Sequence, residues 1–214
     1  MKAIVIGATG AVGKDLVEEL LSRREYEKII TFTRRPLDIK SEKIESYIID
    51  FDRPSDWVHL VKGDVLFSAL GTSLKQAGSK EAQYRIDHDY QVSFAKAARR
   101  NGVRHLVIVS SLGADPASSF FYLKLKGIIE RDVEALGFPG FTILRPPSLI
   151  RKHAKRPAET VSVKLFQLAN ALGLFKTMAP VPTEAVARKM ADLGSRPYEG
   201  KRILSAQETR GPLR

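Results

Sequence analysis

The chain has 214 residues, enough for one sizeable core with a small appendage and too few for a dehydrogenase with a separate catalytic domain. It contains no cysteine, so disulfides, thiolate nucleophiles and cysteine metal sites are excluded, and any catalysis must use oxygen or nitrogen groups. Lys and Arg number 35 against 24 Asp and Glu, a net charge of +11; the basic residues are dispersed, with no interleaved aromatic platform, which favours a solvated surface attractive to anionic ligands over specific nucleic-acid recognition.

The first predicted strand, Lys2–Ile6, begins one residue after Met1 and leaves no room for a signal peptide. No apolar run approaches the length of a bilayer span, so the expected location is cytoplasmic and no membrane partner is expected. The strand enters Gly7-Ala8-Thr9-Gly10-Ala11-Val12-Gly13, and Val12–Arg24 follows with Leu16, Val17, Leu20 and Leu21 at helical spacing. Such a strand, glycine turn and helix form the entrance of a dinucleotide site. Gly7 makes the sharp turn, Gly10 admits a pyrophosphate to the backbone, Gly13 allows close helix packing, and the helix N–H groups face the anion.

The second strand, Ile29–Thr33, ends at Arg34 and Arg35, where an NAD enzyme usually carries an acid for the adenosine ribose. Two guanidinium forks instead favour the 2′-phosphate of NADP, the alternative being two solvated turn arginines. Strand Glu45–Ile49 ends at Asp50, which either accepts from the adenine amino group or caps the turn Phe51-Asp52-Arg53-Pro54. Ser55–Val61 is a candidate short helix, and strand Val65–Leu70 leads to Leu70-Gly71-Thr72, positioned to lie along the adenosine ribose.

A long helix, Lys80–Arg100, stops at Asn101-Gly102, strand His105–Ser110 runs into Ser111, and helix Phe121–Leu136 stops at Gly137. Tyr122 and Lys126 share one helix face. The ammonium of Lys126 favours ionisation of the phenol and can hold nicotinamide ribose hydroxyls, while Ser111, with Ser110 as the fallback, hydrogen-bonds a substrate carbonyl. An ordinary surface helix would carry the same pair; its place after a nucleotide-binding strand set argues for a site. Strand Phe141–Leu144 ends in Arg145-Pro146-Pro147, with Arg145 expected to tie backbone carbonyls and Pro146 to lie near the nicotinamide.

After Pro147 the alternation fails. Arg151, Lys152, Lys155 and Arg156 read as a solvated loop at the site mouth, Val161–Leu172 as a further apolar segment, Thr183–Leu193 as a helix and Arg202–Ser205 as a last strand, with a loose tail after Gln207. Phe120, Phe121, Phe166, Phe175 and Met178 either line a substrate pocket or pack in the core. The four histidines show no ligand pairing, and no metal site is expected. The whole pattern is α/β: one Rossmann-type doubly wound domain over 1–214 with a mostly parallel sheet, in which 147–206 forms a lid on the substrate side.

The Gly-rich opening, Ala69-Leu70-Gly71-Thr72, Ile86-Asp87-His88-Asp89-Tyr90, Ser110-Ser111-Leu112-Gly113-Ala114-Asp115, Phe121-Tyr122-Leu123-Lys124-Leu125-Lys126-Gly127 and Leu144-Arg145-Pro146 together resemble the atypical short-chain dehydrogenases. More narrowly, the chain is similar to the branch around the Tat-interacting oxidoreductase. The resemblance implies an extended NADP(H) touching Gly7, Thr9, Gly10, Ala11, Val12, Arg34, Arg35, Leu70, Gly71, Tyr122 and Lys126. Two departures stand out: Asp87 occupies a position where many relatives carry an asparagine, and the serine-to-tyrosine spacing is short. The reading is an NADP(H)-dependent reductase of a small carbonyl compound with Ser111, Tyr122 and Lys126 at the chemistry; the alternative is a non-catalytic NADP-binding regulator acting through a protein partner. Substrate identity and oligomeric state stay open.

Overall fold

The computed structural model describes residues 1–150, 179–196 and 198–210. The basic cluster Arg151–Arg156, the segment Val161–Leu172, and Phe166, Phe175 and Met178 therefore lie outside the described residues. In chain order the elements are β1 (Lys2–Ile6), α1 (Ala11–Ser22), β2 (Lys28–Thr33), β3 (Ile44–Ile48), short 3-10 turns at Pro54–Asp56 and Val58–Leu60, and β4 (Val65–Ser68). Then come α2 (Leu74–Ala77), α3 (Lys80–Tyr84), a π-helical turn (Arg85–Asp89), α4 (Tyr90–Arg100), β5 (His105–Val109), α5 (Phe121–Glu134) and β6 (Gly140–Leu144). The remainder is β7 (Leu149–Ile150), β8 (Val181–Pro182), α6 (Thr183–Gly194), β9 (Gly200–Leu204) and α7 (Ala206–Arg210).

Seven strands form one parallel sheet in the order β3-β2-β1-β4-β5-β6-β9, and β7 pairs with β8 separately. The winding direction reverses between β1 and β4, so the loops after these two strands diverge and open a crevice at the sheet's carboxyl edge. Because side chains alternate across a strand, β1 feeds two cores. Ile4 and Ile6 join Phe32, Trp57, Phe94, Leu125 and Ile129 on the face covered by α4 and α5, whereas Ala3 and Val5 join Leu16, Leu20, Phe67, Val186 and Met190 on the face covered by α1 and α6. Burial on both faces explains why these strands read as continuous apolar runs.

The described parts of 147–206 are built into the body of the domain. Helix α6 lies against α1, with the Tyr26 hydroxyl donating to the Ala191 carbonyl at 2.6 Å and Arg23 paired with Asp192 at 2.7 Å, and β9 extends the sheet beside β6. Of the tail expected to be loose after Gln207, residues 208–210 instead complete α7, started by a capping box: Ser205 Oγ and N both donate to Glu208 Oε2, at 2.7 and 2.9 Å. The helix expected over 80–100 is interrupted by the π turn, which brings Gln83, Asp87 and Gln91 inside, each at most 2% exposed.

Candidate functional site

Backbone meets backbone where the crevice begins. Gly7 has φ +81°, and a Cβ there would stand 2.5 Å from the Ala69 and Leu70 main chain; one on Gly13 would stand 2.0 Å from the Gly7 carbonyl oxygen. Only glycine lets β1, the start of α1 and the end of β4 approach this closely. Helix α1 has no side-chain cap and no acid in its first turn, leaving its leading N–H groups open to an anion.

From this point runs a cavity of about 580 Å³ along Gly7, Thr9, Gly10, Ala11, Leu70 and Gly71 to Arg34 and Arg35. Both arginines are exposed, and the Thr33 hydroxyl holds their turn by donating to the Arg35 carbonyl at 2.7 Å. Asp50 is not part of the lining, although its neighbour Phe51 is. The Asp50 carboxylate accepts the Asp52 N–H at 3.0 Å and its carbonyl accepts the Trp57 indole N–H at 2.9 Å, so it acts as the turn cap.

A second cavity, of about 560 Å³, continues from the first across shared walls at Gly10, Ala11, Leu70, Gly71 and Thr72. It reaches Val12, Val109, Ser110, Phe121, Tyr122, Lys126 and Leu149. Tyr122 is 43% exposed, and the Lys126 ammonium lies 5.8 Å from its ring centroid. The side chain of Lys126 is buried apart from this opening and faces Asp87 Oδ2 at 3.5 Å. Asp87 Oδ1 accepts the Thr72 N–H at 2.7 Å, while Oδ2 makes no hydrogen bond. Burial pushes the Asp87 carboxyl above the usual carboxylate range, against the opposing pull of Lys126 and the Thr72 N–H.

The loop 70–72 between the two cavities is clamped from the π turn and its flanks. Gln91 donates to the Leu70 carbonyl at 3.0 Å and accepts from Ser68 at 2.6 Å, and Gln83 donates to the Thr72 carbonyl at 3.2 Å. Sequence reasoning missed both glutamines; their spacing of four around Asp87 along a helix was the available signal.

The serine pair divides differently from the expectation. Ser110 continues the sheet ladder, its N–H donating to the Leu144 carbonyl at 2.8 Å, and its side chain is buried and lines the second cavity. Ser111 does not line it and turns toward the surface, its hydroxyl directed to the Leu112 carbonyl at 3.4 Å. The Ser110 hydroxyl donates to Glu130, a carboxylate only 5% exposed, which also receives Arg145 Nε at 3.0 Å and Nη2 at 2.5 Å. Arg145 therefore ties a buried carboxylate and not backbone carbonyls. Glu130 was missed as well; it lies four residues beyond Lys126, on the same face of α5. Pro146 is buried, accepts the Leu112 N–H at 2.9 Å, and is not among the cavity-lining residues.

Among the described residues, no cluster of three or more His, Asp or Glu is placed to hold a metal ion, and no helix is long and apolar enough to cross a membrane.

The model of the NAD(P)H-binding family matches residues 7–195. Protein FMP52, mitochondrial, of Debaryomyces hansenii is 34% identical over 206 residues, which cover 92% of this chain and 89% of that protein. Protein HTATIP2 of Rattus norvegicus is 34% identical over 167 residues, covering 76% of this chain and 69% of that protein. Among solved structures, UDP-glucose 4-epimerase of Thermotoga maritima matches with a TM-score of 0.71 at 13% identity, over 96% of this chain and 77% of the epimerase, a likeness of fold. The name of the Debaryomyces hansenii relative overturns the expectation of cytoplasmic residence, which had rested only on the lack of a recognisable targeting segment. With a parallel sheet in Rossmann order and a glycine turn opening on its crevice, this chain belongs to the NAD(P)H-binding, oxidoreductase-like family, as an atypical short-chain dehydrogenase of the Tat-interacting branch.

Proposed function

We propose that the protein is an NADP(H)-dependent reductase of small carbonyl compounds, with Tyr122 as the general acid. The observation that carries this reading is the continuity of the two cavities: one trough leads from two exposed arginines, past an uncapped helix start, to a phenol with a buried ammonium behind it. A turn so tight that a Cβ on Gly7 or Gly13 would strike main chain, set at the start of an uncapped helix, fits the pyrophosphate of a dinucleotide. Arg34 and Arg35 at the far rim support the 2′-phosphate, because guanidinium forks match phosphate oxygens and, among the described residues, no acid lines that rim to receive a bare ribose.

When bound, NADPH supplies a hydride to the carbonyl carbon. The partly exposed phenol of Tyr122 gives its proton to the carbonyl oxygen. Lys126 holds ribose hydroxyls and stabilises the phenolate left behind, and Asp87 faces that ammonium from the interior at 3.5 Å. Val109, Phe121 and Leu149 give the chemistry an apolar wall.

Two measurements on the purified full chain test the reading. Fluorescence titration is expected to give tighter binding of NADPH than of NADH, with the gap narrowing in Arg34→Ala and Arg35→Ala. Tyr122→Phe is expected to lower turnover of a carbonyl panel, followed by NADPH absorbance, by about 100-fold or more while sparing cofactor affinity. Turnover unchanged in Tyr122→Phe refutes the acid assignment, and equal or tighter NADH binding refutes the phosphate assignment.

A further inference from the structure

Ser110, Glu130 and Arg145 form a network whose polarity is set by charge. A carboxylate can only accept hydrogen bonds, and Glu130, buried and gripped through both oxygens by Arg145, takes the hydroxyl hydrogen of Ser110. Turning that hydrogen away would set serine lone pairs against carboxylate lone pairs inside the protein. Ser110 nonetheless lines the cavity that holds Tyr122 and Lys126. What it has left to offer there is an acceptor.

We propose that Ser110 is a specificity residue that accepts a hydrogen bond from the substrate, and that the substrate is a carbonyl compound with a hydroxyl on the carbon beside the carbonyl. This deepens the reductase reading and rests on it. The cavity then presents complementary groups: Tyr122, with Lys126 behind it, donates to the carbonyl oxygen, Ser110 accepts from the neighbouring hydroxyl, and Val12, Phe121 and Leu149 receive the apolar remainder. A serine with a free hydroxyl hydrogen would instead polarise the carbonyl itself and be indifferent to an adjacent hydroxyl. Glu130 and Arg145 are positioning residues, acting only through the direction in which Ser110 points its hydrogen.

The experiment compares kcat/KM for ketone pairs differing by that hydroxyl, such as 2-hydroxyacetophenone with acetophenone and 3-hydroxy-2-butanone with 2-butanone, in wild type and Ser110→Ala. Taking each variant's hydroxy-to-plain ratio and dividing one by the other cancels the intrinsic reactivity of the ketones. The wild-type ratio is expected to exceed that of Ser110→Ala by about tenfold or more, as for a site built to hydrogen-bond a substrate hydroxyl. Circular dichroism and NADPH titration on the same preparations verify that the variant is folded and binds cofactor. Equal losses on both members of each pair overturn the inference, since Ser110 would then be activating the carbonyl. A defect confined to NADPH affinity also overturns it and makes the cofactor the partner of Ser110. If wild type binds NADPH but turns over none of the ketones, the reductase reading fails and takes this inference with it, an outcome distinct from the other two.

Discussion

Replacing Arg145 by methionine tests the network behind the cavity. The substitution keeps the bulk of the side chain and removes both contacts to Glu130, at 3.0 and 2.5 Å, leaving a carboxylate that is 5% exposed with Ser110 as its one remaining side-chain donor among the described residues. Stranding a buried charge in this way costs about 3–5 kcal/mol, and the 29% exposure of the arginine side chain places the expected loss toward ~3. For a chain of this length that lowers Tm by roughly 6–12 °C. Urea unfolding is the assay, and the midpoint should fall with the slope m unchanged. The double variant Arg145→Met with Glu130→Leu removes both charges and is expected to recover most of the loss, which separates an unpaired charge from a general packing defect. A loss below ~1 kcal/mol in the single variant, or a double variant no more stable than the single, refutes the reasoning.

Gly13→Ala forces a Cβ to within 2.0 Å of the Gly7 carbonyl oxygen, so α1 must move off the strand turn. The expected result is a lower Tm together with loss of the stabilisation that NADPH gives the wild type; a variant that keeps both counts against the tight-turn account. His105 is buried with one ring nitrogen unpartnered and the other 3.2 Å from the Thr142 hydroxyl, and burial pushes its pKa down to about 4. The unfolded chain therefore takes up a proton first as pH falls from roughly 6.5. Stability present above that pH should decline by about 3 kcal/mol by pH ~4 through this group alone. Urea unfolding across that range should show a steeper decline in wild type than in His105→Gln, and parallel profiles would refute the assignment.

The Rossmann class was legible because its signals are short in range. Apolar runs buried on both faces, stops at Asn101-Gly102 and Gly137, and the glycine turn can each be read within a window of a dozen residues. The π turn was not, because the 80–100 stretch has an ordinary helical pattern, and the interruption exists to bring Asp87 and Gln91 under the loop that follows β4. The helix that ends the described chain was hidden by its length: five residues give no periodicity, and only the Ser205 to Glu208 box marks its start.

On its own the sequence determined the phosphate end of the crevice, since a strand, a turn of positive φ and an uncapped helix are decided by neighbours in the chain. It also determined that Tyr122 and Lys126 share a face, which helical geometry guarantees. Only the tertiary structure decided the partners of the other polar groups: Ser110 with Glu130, twenty residues apart, Arg145 with Glu130, fifteen apart, and Asp87 with the Thr72 N–H, also fifteen apart. Those pairings exist because α4 and α5 lie on the same face of the sheet beside the ends of β4, β5 and β6. Burial there removes water as the competing partner, so each polar group must find another that packing, and not local spacing, brings to it.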